Sequence, residues 1–117
     1  MAIFGALASK PATIATGTAV SDAVDLGSSS LVGLATPAGW TTAVITFQVS
    51  IDGTTYFDYE TALGAEVTLA STAASRYRAL DPADLAGVRY LKVRSGTSAA
   101  PVNQTGGDVI QLVTRKL

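Results

Sequence analysis

The stretch Val44-Ile-Thr-Phe-Gln-Val-Ser-Ile-Asp-Gly-Thr-Thr-Tyr-Phe-Asp-Tyr59 decides the fold. Ile45, Phe47, Val49 and Ile51 fall on one side of it, while Thr46, Gln48 and Ser50 fall on the other. A period of two belongs to a half-buried antiparallel strand, whose successive side chains point to opposite faces. Asp52-Gly53 follows, a pair that tolerates positive φ at both positions and predicts a two-residue hairpin turn. Thr54–Tyr59, β-branched and aromatic, then returns as the partner strand.

Outward from this hairpin the same period recurs. Further strands are expected at Thr13–Val20, Ala23–Leu26, Leu31–Ala35, Ala65–Leu69, Arg76–Ala79, Val88–Arg94 and Val109–Arg115. In Val88–Arg94, Arg89, Leu91 and Val93 alternate with Tyr90, Lys92 and Arg94, and the second set is expected in solvent. Both alternating sets of Val109–Arg115 hold apolar residues, which predicts burial on two faces or a subunit contact. Turn residues interrupt at short intervals, at Gly27–Ser30, Pro37–Gly39, Asp52-Gly53, Gly64, Asp81-Pro82 and Gly106-Gly107. Strands so spaced predict an all-β chain folded as an antiparallel β-sandwich of jelly-roll or related topology. One helical turn is expected near 82–86, with Asp81 as N-cap, Pro82 in the first position and Gly87 as the stop.

The chain has 117 residues, the size of one domain. We expect residues 1–12 to form an apolar N-terminal arm and residues 13–117 a single sandwich. The arm, Met1-Ala-Ile-Phe-Gly-Ala-Leu-Ala-Ser-Lys10, has its only charged side chain after its apolar part. A secretory signal has the opposite order, so the segment is expected to be retained. No apolar run approaches the roughly 18 residues that span a bilayer, and no membrane insertion is expected.

Composition narrows the chemistry. The sequence contains neither Cys nor His, which removes disulfides, thiolate nucleophiles, the usual general base and the commonest metal ligands. Eight basic and nine acidic residues leave a net charge of −1, which does not favour a nucleic-acid partner. Only 15% of residues are charged, against roughly 25% in an average globular protein. Asp81 and Asp84 suit helix capping rather than acid–base work, and Asp58 with Glu60 reads as a solvated strand edge. No Gly-x-Ser-x-Gly elbow and no phosphate-binding glycine loop is present. Arg76, Arg78, Arg89, Lys92 and Arg94 form a basic stripe if their strands pair, with Asp58, Glu60 and Asp84 as salt-bridge partners. The sequence therefore predicts no enzyme, no cofactor and no metal site.

Two groups of contact residues remain. Ile3, Phe4 and Leu7 are costly to leave in water and read either as a first strand or fraying terminus or as an arm that docks on a neighbouring subunit. The long loop Ser95–Asp108, with Ser98, Pro101, Val102, Asn103 and Gln104, reads as an exposed, adaptable segment that is either a functional contact or simply loose. Trp40, Tyr56 and Tyr59 are candidates for stacking on a glycan if exposed together, although a lone Trp beside Gly39 also suits the open end of a sandwich core.

The run Val44–Tyr59, with Phe47-Gln-Val-Ser-Ile-Asp-Gly-Thr-Thr-Tyr56, resembles the strand, Ser-x-Asp-Gly-Thr-x-aromatic, strand hairpin of discoidin-like and carbohydrate-binding sandwiches, which implies a galactose-binding-like fold. Asp81-Pro-Ala-Asp-Leu-Ala-Gly-Val-Arg-Tyr-Leu-Lys-Val-Arg-Ser-Gly96 with Ala100-Pro-Val-Asn-Gln104 is similar to small proteins of tailed phages. Those lie among virion structural genes as head decoration or fibre-base proteins. The resemblance implies a homo-oligomeric virion component on the capsid surface or virion exterior. Its partners would be the major capsid protein or fibre subunits. The alternative is a carbohydrate-binding, host-adsorption module of a tail or fibre, with a cell-surface glycan as ligand.

Overall fold

The computed structural model describes residues 7–116 as two antiparallel sheets packed face to face. Strands β1 (Leu7–Ile14), β9 (Asp108–Arg115), β3 (Ser30–Ala35) and β7 (Tyr77–Ala79) form the first sheet, in that order. The second runs β2 (Val24–Asp25), β8 (Tyr90–Ser95), β4 (Ala43–Ser50) and β5 (Tyr56–Asp58). β6 (Leu69–Thr72) pairs with the first half of β4 while β5 pairs with the second, so both share one edge. The all-β sandwich expected from the period of two is the observed architecture.

The core follows from pleat and register. β4 faces β8 through Phe47↔Val93 and Val49↔Leu91, which places Ile45, Phe47, Leu91 and Val93 on the inner face. Across from them the first sheet contributes Ala12, Ile14, Leu31, Leu34, Ile110 and Leu112, all at 0% exposure. Each fully buried large apolar side chain is worth about 1.5–3 kcal/mol, so this layer supplies the driving force. Leu31 and Leu34 lie three apart yet both point inward, because a register shift between Leu31 and Gly33 inserts an extra residue. The four-residue helix α1 (Pro82–Leu85) is too short to persist alone. It is held by Leu85, fully buried, and by the Asp81 carboxylate accepting from Ala83 N at 3.0 Å. Gly87 is not among the glycines with positive φ, so the expected left-handed stop is absent.

Several boundaries move. The first strand is Leu7–Ile14 rather than Thr13–Val20, and it pairs with β9 along its whole length, from Leu7↔Arg115 to Ile14↔Asp108. The described part of the expected arm, residues 7–12, is therefore edge strand and belongs to the sandwich. Lys10 and Pro11 blunt that edge against further strand addition. The Asp52-Gly53 turn is also longer than expected. Ser50 pairs with Tyr56, which leaves five residues in the loop. The Asp52 carboxylate organises that loop: it accepts from Thr54 N (2.8 Å), Thr55 N (3.0 Å) and Ser50 Oγ (3.0 Å). These bonds hold its pKa below the ordinary aspartate value, and they displace the tight turn because side chain competes with backbone for the same N–H groups. In consequence Ile51 leaves the core face and is 91% exposed. β9 is buried on one face alone: Ile110, Leu112 and Thr114 point inward, while Val109 and Gln111 face solvent.

Candidate functional site

The two ends of the sandwich carry different surfaces. At one end lie Leu7, Ser30 and Arg115, joined by strand pairing, and Leu26 N donates to the Arg89 carbonyl at 2.7 Å. Ser50, Tyr56 and Tyr90 meet at this same end. At the other end lie Ile14 and Asp108, the 15–20 turn, and the loop between β8 and β9.

The first end carries an open groove of about 390 Å³, lined by Val49, Ser50, Ile51, Phe57, Tyr59, Gly87, Val88 and Arg89. Its origin lies in the topology. Phe57 pairs with Val49, and Tyr59 N donates to the Phe47 carbonyl at 3.1 Å, so these side chains belong to the core-facing side of β4 and β5. Along that edge the first sheet ends in β7, only three residues long. The opposite wall is the link Gly87-Val88-Arg89, which follows α1. Phe57 is left 54% exposed as a result. The Tyr59 hydroxyl donates to the Asp84 carbonyl, and burial pushes its phenol pKa up. On the rim, Arg89 pairs with Asp25 through bonds of 3.0 and 3.2 Å and lies 4.9 Å above the Tyr90 ring. The Arg89 guanidinium and Gly27 N hold the Asp25 carboxyl below the usual carboxylate range.

On the outer face of the second sheet Arg94, expected in solvent, is 5% exposed. Its guanidinium donates to Asp58 (2.8 Å), Glu66 (2.7 Å) and Thr46 Oγ1 (2.9 Å). A buried cation needs such a set of partners, since desolvation otherwise exceeds its attractions. Glu66 also accepts from Ser98 N at 3.3 Å and so ties the β8–β9 loop to this network. Tyr90 and Lys92 are half-buried rather than fully wet; Lys92 Nζ sits 4.4 Å above the Tyr56 ring. Among the described residues no group of three acidic side chains is placed to hold a metal ion.

The predicted contact residues separate. Ile3 and Phe4 lie outside the described residues. Leu7 is 57% exposed at the first end. Ser98, Pro101 and Asn103 are exposed at the other end, while Val102 packs against the core. Gln104 is a correction: it is fully buried, and its amide donates to the Thr41 carbonyl (3.0 Å) and Ser95 Oγ (2.8 Å) and accepts from Thr41 N (2.7 Å). A buried amide must satisfy both its donors and its acceptor, and this one staples the loop instead of meeting a partner.

The predicted stacking trio is not brought together. Trp40 is 4% exposed, with Nε1 donating to the Thr72 carbonyl at 3.0 Å, so it closes the core and offers no ring face to a sugar. Tyr56 and Tyr59 are three apart along one extended segment and point to opposite faces. We therefore expect blue-shifted Trp40 emission, poorly quenched by iodide and unmoved by added glycans. Red-shifted, readily quenched emission from the folded chain would contradict this placement. The residues that sequence reasoning missed are Phe57 and Val88. The spacing of Phe57 and Tyr59 at i, i+2 carried a signal for one shared face, but nothing local indicated that the face lies uncovered.

Fold and surface together define a small two-sheet β-domain with an open, largely apolar groove at one end. No family model matches the chain, and no curated protein matches it. Among solved structures it is similar to the SPBc2 prophage-derived protein YomS, with a TM-score of 0.58 over 98% of this chain and 99% of that one. At 14% identity the likeness is one of fold.

Proposed function

We propose that the protein is a non-enzymatic structural component of a tailed-phage virion, attached to the capsid surface as a decoration or head-fibre-anchoring subunit. The observation that carries this reading is the fold match to a prophage-derived protein, which spans 98% of this chain and 99% of that one. The resemblance of Asp81–Gly96 with Ala100–Gln104 to small proteins of tailed phages points the same way. Exposed apolar side chains at one end, Leu7, Ile51 and Phe57, suit a subunit that hides surface on assembly. The opposite end presents Ser98, Pro101 and Asn103 on a loop pinned by Gln104 and Glu66, a rigid polar surface for a second partner. The major capsid protein or a fibre subunit would occupy one of these ends.

The test is direct. Particles of a phage encoding this chain are purified and digested for peptide mass spectrometry, and intact particles are labelled with antibody for electron microscopy. Peptides in the particle and label on the head are expected. Absence of the chain from particles defeats the virion reading, and label at the tail tip supports the host-adsorption alternative.

A further inference from the structure

We infer that the groove between β5 and the α1–β8 link is the receptor for the N-terminal segment of a second copy of this chain, with Ile3 and Phe4 as the inserted anchors. The inference deepens the assembly reading above and rests on it. Three observations converge. The groove walls are apolar side chains of the core-facing layer, Val49, Phe57 and Val88, extended by Ile51 at 91% exposure. Among the described residues that line it the cation is Arg89, which already holds Asp25 at 3.0 Å, so the groove makes no strong demand for an anionic occupant. The sequence preceding β1, Met1-Ala-Ile-Phe-Gly-Ala6, is apolar throughout and carries no charged side chain.

Position supplies the rest. The chain passes out of the described residues at Leu7, at the same end of the sandwich as the groove. Lys10 Nζ donates to the Asp25 carbonyl at 2.7 Å, and Asp25 in turn holds Arg89 on the groove rim. Six residues reach about 20 Å when extended, enough to cross to an adjoining molecule. Leu7, Ala8 and Ser9 are all exposed, so the first residues of β1 are not covered by the sandwich's own core. Donor and acceptor at one end of the molecule let two copies exchange their segments reciprocally, an isologous contact that closes. The closed arrangement leaves the Ser98–Asn103 end free for the shell.

The absence of cysteine from the sequence makes the test clean. Full-length Phe4→Cys and Phe57→Cys chains, distinguishable by mass, are mixed and mildly oxidised. A mixed disulfide between the two is expected as the main product. A Ser98→Cys chain, altered at the far end, is expected to give none with Phe4→Cys. Equal linkage to Ser98→Cys, or only an intrachain bond in the Phe4→Cys/Phe57→Cys double variant, overturns the inference. Light scattering of the unmodified chain is expected to show one defined oligomer. Ile51→Asp and Phe57→Asp, both on exposed side chains, should weaken self-association by at least about tenfold, the loss of one apolar anchor. A monomeric unmodified chain, or an open ladder of sizes, also overturns it. Neither result bears on whether the chain is found in purified particles, so the two readings fail separately.

Discussion

Replacing Arg94 with methionine is expected to destabilise the protein by about 2–4 kcal/mol, because it removes the single cation shared by Asp58 and Glu66. The Arg94 side chain is 6% exposed and Glu66 16%, so neither charge retains ordinary hydration. Without the guanidinium, Glu66 keeps the Ser98 N–H as a donor, and Thr46 Oγ1 loses the donor at 2.9 Å. Asp58 is 45% exposed and recovers water, so its share is small and the cost falls below that of a fully buried triad. Urea unfolding would read the change as a lower midpoint with unaltered slope. A loss under about 1 kcal/mol would show that solvent already screens the network. Adding Glu66→Leu to Arg94→Met should restore part of the loss, since the penalty comes from the stranded carboxylate more than from the missing attraction. Hydrogen exchange in residues 96–102 should quicken in the single variant, because the Glu66 bond to Ser98 N no longer has a fixed anchor.

Arg94 also marks what the sequence could and could not convey. Alternation placed it correctly opposite Leu91 and Val93, on the outer face, and Asp58 was among its expected partners. Alternation says nothing of what covers a face, and here Glu66 and the Ser98 loop arrive from distant segments. The inner layer was legible because each of Ile45, Phe47, Leu91 and Val93 carries its own local signal of period two. The Asp81-Pro82 start of α1 was legible for the same reason, since a cap acts within one turn. Where a position depends on a remote partner, local reading failed. Gln104 sits among loop-forming residues, yet it is buried against Thr41, 63 positions away. Trp40 lies beside a turn glycine, yet Thr72 receives its indole N–H. The groove belongs to this second kind, because Phe57 and Val88 come from segments that share no pattern. Asp52 failed differently: its side chain offered the loop a bonding scheme that the dipeptide rule for tight turns does not weigh.

The other large effect is expected at Gly96, where alanine should cost about 2–5 kcal/mol, combining a strained backbone with overpacking. Gly96 has φ +88°, which an L side chain rarely adopts. A Cβ built there would lie 2.5 Å from the Ala100 carbonyl oxygen, 2.6 Å from Val102 N and 2.8 Å from Pro101 Cα. All three are backbone atoms, so no rotamer change relieves the clash. Nor can Gly96 itself withdraw: its N–H donates to the Val44 carbonyl and its carbonyl accepts from Thr46 Oγ1, both at 2.7 Å. Gly64→Ala is the matched control, with φ +83° but nothing within 4 Å of the added carbon. Strain alone should cost it about 1–2 kcal/mol. If unfolding measurements show equal losses for the two variants, the close approach at Gly96 contributes nothing. If Gly96→Ala loses clearly more, the fold of residues 96–101 depends on backbone meeting backbone. That result would also explain how a loop of small residues holds Ser98, Pro101 and Asn103 in one arrangement: the Gly96↔Pro101 bridge closes its base, and Gln104 fixes its far side. A contact surface ordered in advance binds without the entropy cost of ordering it on arrival. Gly96→Ala should therefore weaken any partner that uses this end, even in molecules that remain folded.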